Sequence, residues 1–237
     1  MENAVLSATE LIETLAPGRR PVPIRVPLDH DECVWFLRAV TDGIVSFGDC
    51  PPTCFRLKKW GASGPDHFAT PAGKPRHLFS KPVGDIAWLN REYVPHIAAY
   101  GLAIIRYGYD QNASSFSLYR TFSRDLIGKT RGQSYETDAE FYDDGGRIHL
   151  QIEAKASAVQ TKRLATEIEK HGQLAQLSPS VAKEIEYVLD LKPAYLWVAG
   201  PGSVDPPRHV FAVTVDGKNA TFSQTSHLPK PPGIGQS

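Results

Sequence analysis

Apolar and polar positions alternate along this chain in two rhythms, one helical and one strand-like. Ser7 and Glu10 form a capping-box pair, and Leu11, Ile12 and Leu15 follow at helical spacing until Pro17 and Gly18. Asp29 with Glu32 repeats the signal: Cys33, Phe36, Leu37 and Val40 then share a face, and Gly43 supplies the stop. Residues 48–84 carry Pro51, Pro52, Gly61, Gly64, Pro65, Pro71, Gly73, Pro75 and Pro82, which reads as loop. The pattern over 85–100 predicts a helix, bent or broken at Pro95. The apolar, aromatic stretches 102–107 and 116–122 predict strands. Helices are expected over 159–171 and from Ser178-Pro179 to about residue 191. Strands are expected at 195–199 and 209–215, with Asp216-Gly217 turning into a partner at 220–223.

Helix, strands, hairpin, helices and strands in that order describe an α/β or α+β domain around a mixed sheet. The expected organisation is an N-terminal extension or small subdomain over 1–84, the α/β core over 85–228, and a frayed Pro- and Gly-rich tail over 229–237.

The hairpin at 135–155 carries the most information. Ile148, Leu150, Ile152 and Ala154 share one face of its second strand, and Arg147, His149, Gln151, Glu153 and Lys155 share the other. In the first strand Tyr135, Thr137, Ala139 and Phe141 alternate with Glu136, Asp138, Glu140 and Tyr142. A two-residue turn at Asp144-Gly145 would set Phe141 against Ile148, Ala139 against Leu150 and Thr137 against Ile152. Glu140 would then meet His149, Asp138 would meet Gln151, and Glu136 would meet Glu153. A shift of two residues would preserve both faces and change which acid lies nearest Glu153. Like charges in opposition destabilise a hairpin. The carboxylates around Lys155 therefore form either an ordinary solvated strand face or a site for a hard divalent cation such as Mg²⁺.

Composition changes this picture little. The chain of 237 residues has 26 Lys plus Arg and 26 Asp plus Glu, so a nucleic-acid site would have to be a local patch. Three cysteines exclude a disulfide scaffold. No apolar run approaches the ~20 residues of a membrane helix, and the acidic start lacks a signal-peptide pattern. The expected location is cytoplasmic, with no membrane partner.

Asp138, fourteen intervening residues, and Glu153-Ala154-Lys155 after Ile-His-Leu-Gln-Ile together resemble the signature of the PD-(D/E)XK nuclease superfamily. The resemblance covers about 135–172 well and 85–215 by order of elements. It departs from the pattern at Thr137, where the motif has Pro, and Glu136 and Glu140 stay open as rival acids. It implies a restriction-endonuclease-like core, a mixed β-sheet flanked by helices. It also implies a metal-dependent endo- or exonuclease acting on nucleic acid, with DNA the expected substrate and Mg²⁺ or Mn²⁺ as cofactor. Asp138, Glu153 and Lys155 would be catalytic. Asp138, Glu153, the carbonyl of Ala154, and Glu136 would be the metal ligands. Gln160 and Lys162, in the first turn of the following helix, would contact nucleic acid. A homodimer is compatible with the reading.

Two basic runs could hold a phosphate backbone. Arg120, Arg124, Lys129 and Arg131 stand against Asp125 directly before the hairpin. Arg56, Lys58, Lys59, Lys74, Arg76 and Lys81 stand against Asp66, interleaved with Phe55, Trp60, Phe68 and Phe79. Cys50 and Cys54 with His67 and His77 make a weak zinc set, because two prolines separate the cysteines and no second pair matches them. The rival to a nuclease is a non-catalytic protein-interaction domain, or a nucleic-acid-binding domain that keeps the nuclease-like fold without cleavage.

Overall fold

The computed structural model describes residues 2–15, 25–48, 54–57, 78–79, 88–123, 125–126 and 131–232. Three helices come first among its main elements: α1 (Glu2–Leu15), α2 (His30–Thr41) and, after a two-stranded ribbon, α3 (Tyr93–Ile105). The ribbon pairs β1 (Val45–Gly48) with β2 (Cys54–Leu57). The rest of the expected basic loop, with Cys50, His67 and His77, lies outside the described residues.

At the start of α2 the Asp29 N–H donates to Glu32 Oε1 at 2.7 Å, as the capping-box pattern predicts. Gly43 follows at φ 69°, a left-handed position that suits glycine. α3 corrects two expectations. It starts at Tyr93 rather than 85, so Pro95 sits in the first turn, where its missing N–H costs no helical bond. It then runs through Leu102 to Ile105, where a strand was predicted. Val94 through Ala103 are all buried, so this helix shows no amphipathic period and its apolar run mimics a strand. Gly101 permits the close approach of α2, since a Cβ there would lie 2.7 Å from the Ala39 Cβ.

The main sheet has six strands: β3 (Ser114–Thr121), β4 (Ser134–Tyr142), β5 (Ile148–Ala154), β6 (Tyr195–Ala199), β7 (Val210–Asp216) and β8 (Asn219–Thr225). They lie in the order β3-β4-β5-β6-β7-β8, with β5 and β6 parallel and every other pair antiparallel. The parallel pair is joined through α4 (Ala158–His171), α5 (Pro179–Ile185) and α6 (Val188–Leu191). The fold is thus α/β, a mixed open sheet flanked by helices.

Both faces of the sheet are covered. Ile12, Phe36, Ile97 and Leu102 of α1–α3 pack with Phe116, Phe141, Leu150, Ile152 and Trp197. On the other side Leu164, Ile168, Val181, Ile185 and Val188 of α4–α6 pack with Leu196, Val198, Phe211 and Phe222. Leu196, Trp197, Val198 and Ala199 alternate between the two cores, as a strand period of two requires. No helix among the described residues is long and apolar enough to cross a membrane.

Candidate active site

From Ala139 to Phe141 the hairpin forms with the expected faces and a different register, whereas Tyr135, expected on the face of Ala139 and Phe141, packs with the second core. Ala139 pairs with Ile152, Glu140 with Gln151, and Phe141 with Leu150, so partners have moved two places from the two-residue-turn alignment. The cause lies in the turn and the first rung. Asp143 Oδ1 accepts from the N–H groups of both Gly145 and Arg147 at 2.9 Å, and Gly146 adopts φ 74°, which lengthens the loop. A bulge between Phe141 and Tyr142 adds the second place. Two one-residue slips restore the pleat, so the buried set survives while every cross-strand neighbour changes. Continued by one pair, this register sets Asp138 opposite Glu153. In keeping with that placement, the Ala154 N–H donates to Asp138 Oδ2 at 2.6 Å.

Asp138, Glu153 and Glu136 line one cleft of about 640 Å³. Its other wall is the entry to α3, including Leu89, Arg91, Glu92, Tyr93 and His96. That wall is fixed from behind. Arg91 donates to the carbonyls of Val26 and Pro27 and through two nitrogens to the Glu32 carboxylate. Burial holds Glu32 up at about 7 despite this pairing. His96 stacks flat on Phe116 at 3.5 Å between centroids, and its Nδ1 stands 4.0 Å from Asp138 Oδ1.

Lys155 donates to Glu153 Oε1 at 2.6 Å and lies 3.4 Å from Glu184 Oε2 on α5. The Tyr187 hydroxyl donates to Glu153 Oε2 at 2.7 Å. Arg163 of α4 holds the other oxygen of Glu184. Burial opposes the charge on Lys155, yet Glu153, Asp138 and Glu184 outweigh it and raise the ammonium pKa. Asp138 is pushed well above its ordinary value, first by burial and then by Glu153 and Glu92. Glu92 is itself raised: crowding by protein desolvates it, and Glu153, Glu136 and Glu184 repel its charge against the pull of Lys155. The strand beside Asp138 is also strained. β3 pairs with β4 at Phe116 and Leu118 but skips Ser117, which sits at φ 51° with its hydroxyl buried and without a hydrogen-bond partner among the described residues.

The other expected contacts fare differently. Arg120 is bound to the buried Glu140 by two nitrogens, so its charge is committed inside the fold rather than presented to a phosphate. That corrects its expected role. Arg124 and Lys129 lie outside the described residues. Arg131 is exposed, and its N–H donates to Asp125 Oδ1 at 2.8 Å. Ser157 caps the start of α4: its hydroxyl accepts from the Gln160 N–H at 3.3 Å and donates to Gln160 Oε1 at 3.1 Å. Lys162 is exposed on the same helix. Of Ala154, the structure brings the N–H to Asp138.

Glu92, His96, Glu184 and Tyr187 were not singled out in the sequence. Each arrives from a helix distant in sequence, and none carries a local motif. Their only signal is an acid at a helix entry in Glu92 and the three-residue spacing of Glu184 and Tyr187.

A hard cation suits the chemistry of this donor set, because carboxylates that raise one another's pKa are relieved by positive charge. Among the described residues no three His, Cys, Asp or Glu side chains form a ready-made cage, so water and phosphate oxygens would complete the shell. Compared with protein-family models, curated proteins and solved structures, the chain matches none.

Proposed function

We propose that the chain is a metal-dependent nuclease with a restriction-endonuclease-like core, hydrolysing phosphodiester bonds in nucleic acid, with DNA the leading substrate. The observation that carries this reading is the meeting of Asp138 and Glu153 from neighbouring strands in one cleft, with Lys155 bound to Glu153. The sequence of helix, three antiparallel strands, crossover helix and parallel strand in α3, β3–β5, α4 and β6 supports it too.

Asp138, Glu153 and Glu136, with the Ala154 carbonyl, would supply the protein ligands to Mg²⁺ or Mn²⁺, and Glu92 lines the facing wall. When bound, the ion supplies a Lewis acid for the phosphate and lowers the pKa of its water. Lys155 stays charged in its acidic surroundings and offsets negative charge developing on the phosphate oxygens. Tyr187 and Glu184 fix Glu153 and Lys155 from behind, so neither group must reorganise when substrate enters.

The test is a panel of labelled DNA and RNA substrates with Mg²⁺, Mn²⁺ or chelator. Cleavage should require metal and vanish in Lys155→Ala, with metal binding largely retained. A folded protein that cuts nothing under any condition would remove the proposal. One observation favours the non-catalytic alternative, a nucleic-acid-binding domain of similar fold: both Glu153 oxygens already accept from protein donors. Metal-independent binding without cleavage is its signature.

A further inference from the structure

Resting on the nuclease reading, we propose that the cleft takes a single strand of nucleic acid and seats an unpaired base against Tyr93 of its wall and Trp88, which directly precedes that wall in the chain, so that duplex must be frayed or opened before it is cut. Three independent features point there. The first is depth. Only 21% of the Asp138 side chain and 11% of those of Glu153 and Lys155 reach solvent. The scissile phosphate must therefore enter the cleft to meet these groups. The volume of about 640 Å³ is that of a pocket for one small ligand, within the roughly 300–1,000 Å³ such pockets span.

The second feature is the facing wall. Opposite the acids stand Leu89, Tyr93 and His96. Tyr93 stacks on His96 at 6.1 Å and 17°, and His96 stacks on Phe116. His96 and Phe116 are buried, so Tyr93, the half-buried ring at the end of this column, is the one to meet the face of a base, a face that in a duplex is covered by neighbouring bases. An acidic site serving duplex alone would need only polar contacts to the phosphates on this wall.

The third feature is Trp88, which directly precedes the cleft-lining Leu89 in the chain. Its side chain is 38% exposed, one of the few large hydrophobic groups at the described surface. The Arg25 guanidinium lies 3.9 Å from its ring centroid. An exposed indole with a guanidinium over it joins a stacking surface to a phosphate partner, the pairing that sequence-tolerant single-strand sites use.

The experiment compares one labelled oligonucleotide as a single strand, as a blunt duplex, and as part of a covalently closed duplex circle. Cleavage is measured with Mg²⁺, and binding by fluorescence anisotropy in chelator. The single strand should be cut and bound at least tenfold better than the closed circle. Trp88→Ala should raise the KM and the dissociation constant for the single strand by roughly five- to a hundredfold, the range expected for one stacked base. Trp88→Phe, which keeps a flat ring, should recover much of the loss, and this separates stacking from a folding defect. Equal cleavage of single strand and closed circle, or a Trp88→Ala protein identical to wild type, overturns the inference while the nuclease reading stands. Single-strand binding that depends on Trp88, without cleavage of any substrate, supports the inference and overturns the nuclease reading. Neither cleavage nor preferential single-strand binding overturns both.

Discussion

Glu140 and Asp138 lie two residues apart on β4, yet they occupy opposite chemical situations. Glu140 is fully buried and saturated: Ser115 and Thr137 hydroxyls donate to it at 3.2 and 2.7 Å, Arg120 binds it through two nitrogens, and the Tyr142 hydroxyl completes the set. Asp138 accepts one backbone N–H, lies beside Glu153 and faces Glu92 across the cleft, with its pKa raised by burial and by those acids. The first carboxylate is built into the sheet. The second is held where its charge is unfavourable until something positive arrives. A rival acid is thus distinguished from a functional one by its donors, not by its place in an alternating pattern.

The largest way to break this comparison is at Glu140. Glu140→Ala strands Arg120 against the sheet and should cost about 3–5 kcal/mol, the usual result of removing one partner of a buried pair. Urea denaturation measures it. A loss below about 1 kcal/mol would mean the saturation seen around Glu140 contributes little.

Glu153 falls between the two. It lines the cleft yet accepts from Lys155 and Tyr187. Glu153→Gln should abolish cleavage and also lower stability by about 2 kcal/mol, since hydrogen bonds to a charged group are weakened. Like-charge repulsion alone predicts the opposite sign, so the same denaturation experiment separates the two effects.

Asp138→Asn should stabilise the metal-free protein. The folded pKa of Asp138 is above its ordinary 3.8, so the folded state binds the proton more tightly than the unfolded state. The stability this provides is complete below pH ~4 and is lost as pH rises through the folded pKa. The Asn variant escapes that loss. Its melting temperature should exceed that of wild type at pH 7, and the gap should close as pH falls below about 4. A gap independent of pH would show that packing, not charge, sets it.

The smallest expected effect is thermal stabilisation by the ion. Millimolar Mg²⁺ or Mn²⁺ should raise the wild-type melting temperature by a few degrees, following RT ln(1 + [L]/Kd), and should leave Asp138→Asn unmoved.

The shared face of Ala139, Phe141, Leu150 and Ile152 was legible in the alternation along the hairpin, because a period of two assigns faces whatever the register. Register was less legible, since it depended on how the Asp143 carboxylate organises Gly145 and Arg147 and on a bulge at Phe141/Tyr142 that no residue type announces. The helix α3 was misread over 102–105 because burial on all sides erases the period on which such readings depend. The donors around Glu140 and the partners of Glu153 were illegible for a different reason. Ser115, Arg120, Glu184 and Tyr187 reach these acids only through tertiary packing, and spacing along the chain carries no trace of it.

The most direct measurement is a calorimetric titration of Mn²⁺ into wild-type protein and into Asp138→Asn at neutral pH. Binding to the wild type should be saturable and should be lost in the variant, with the variant still folded. Absence of binding to the wild type, or identical isotherms for the two proteins, would contradict the assignment of Asp138 as an acid waiting for a cation.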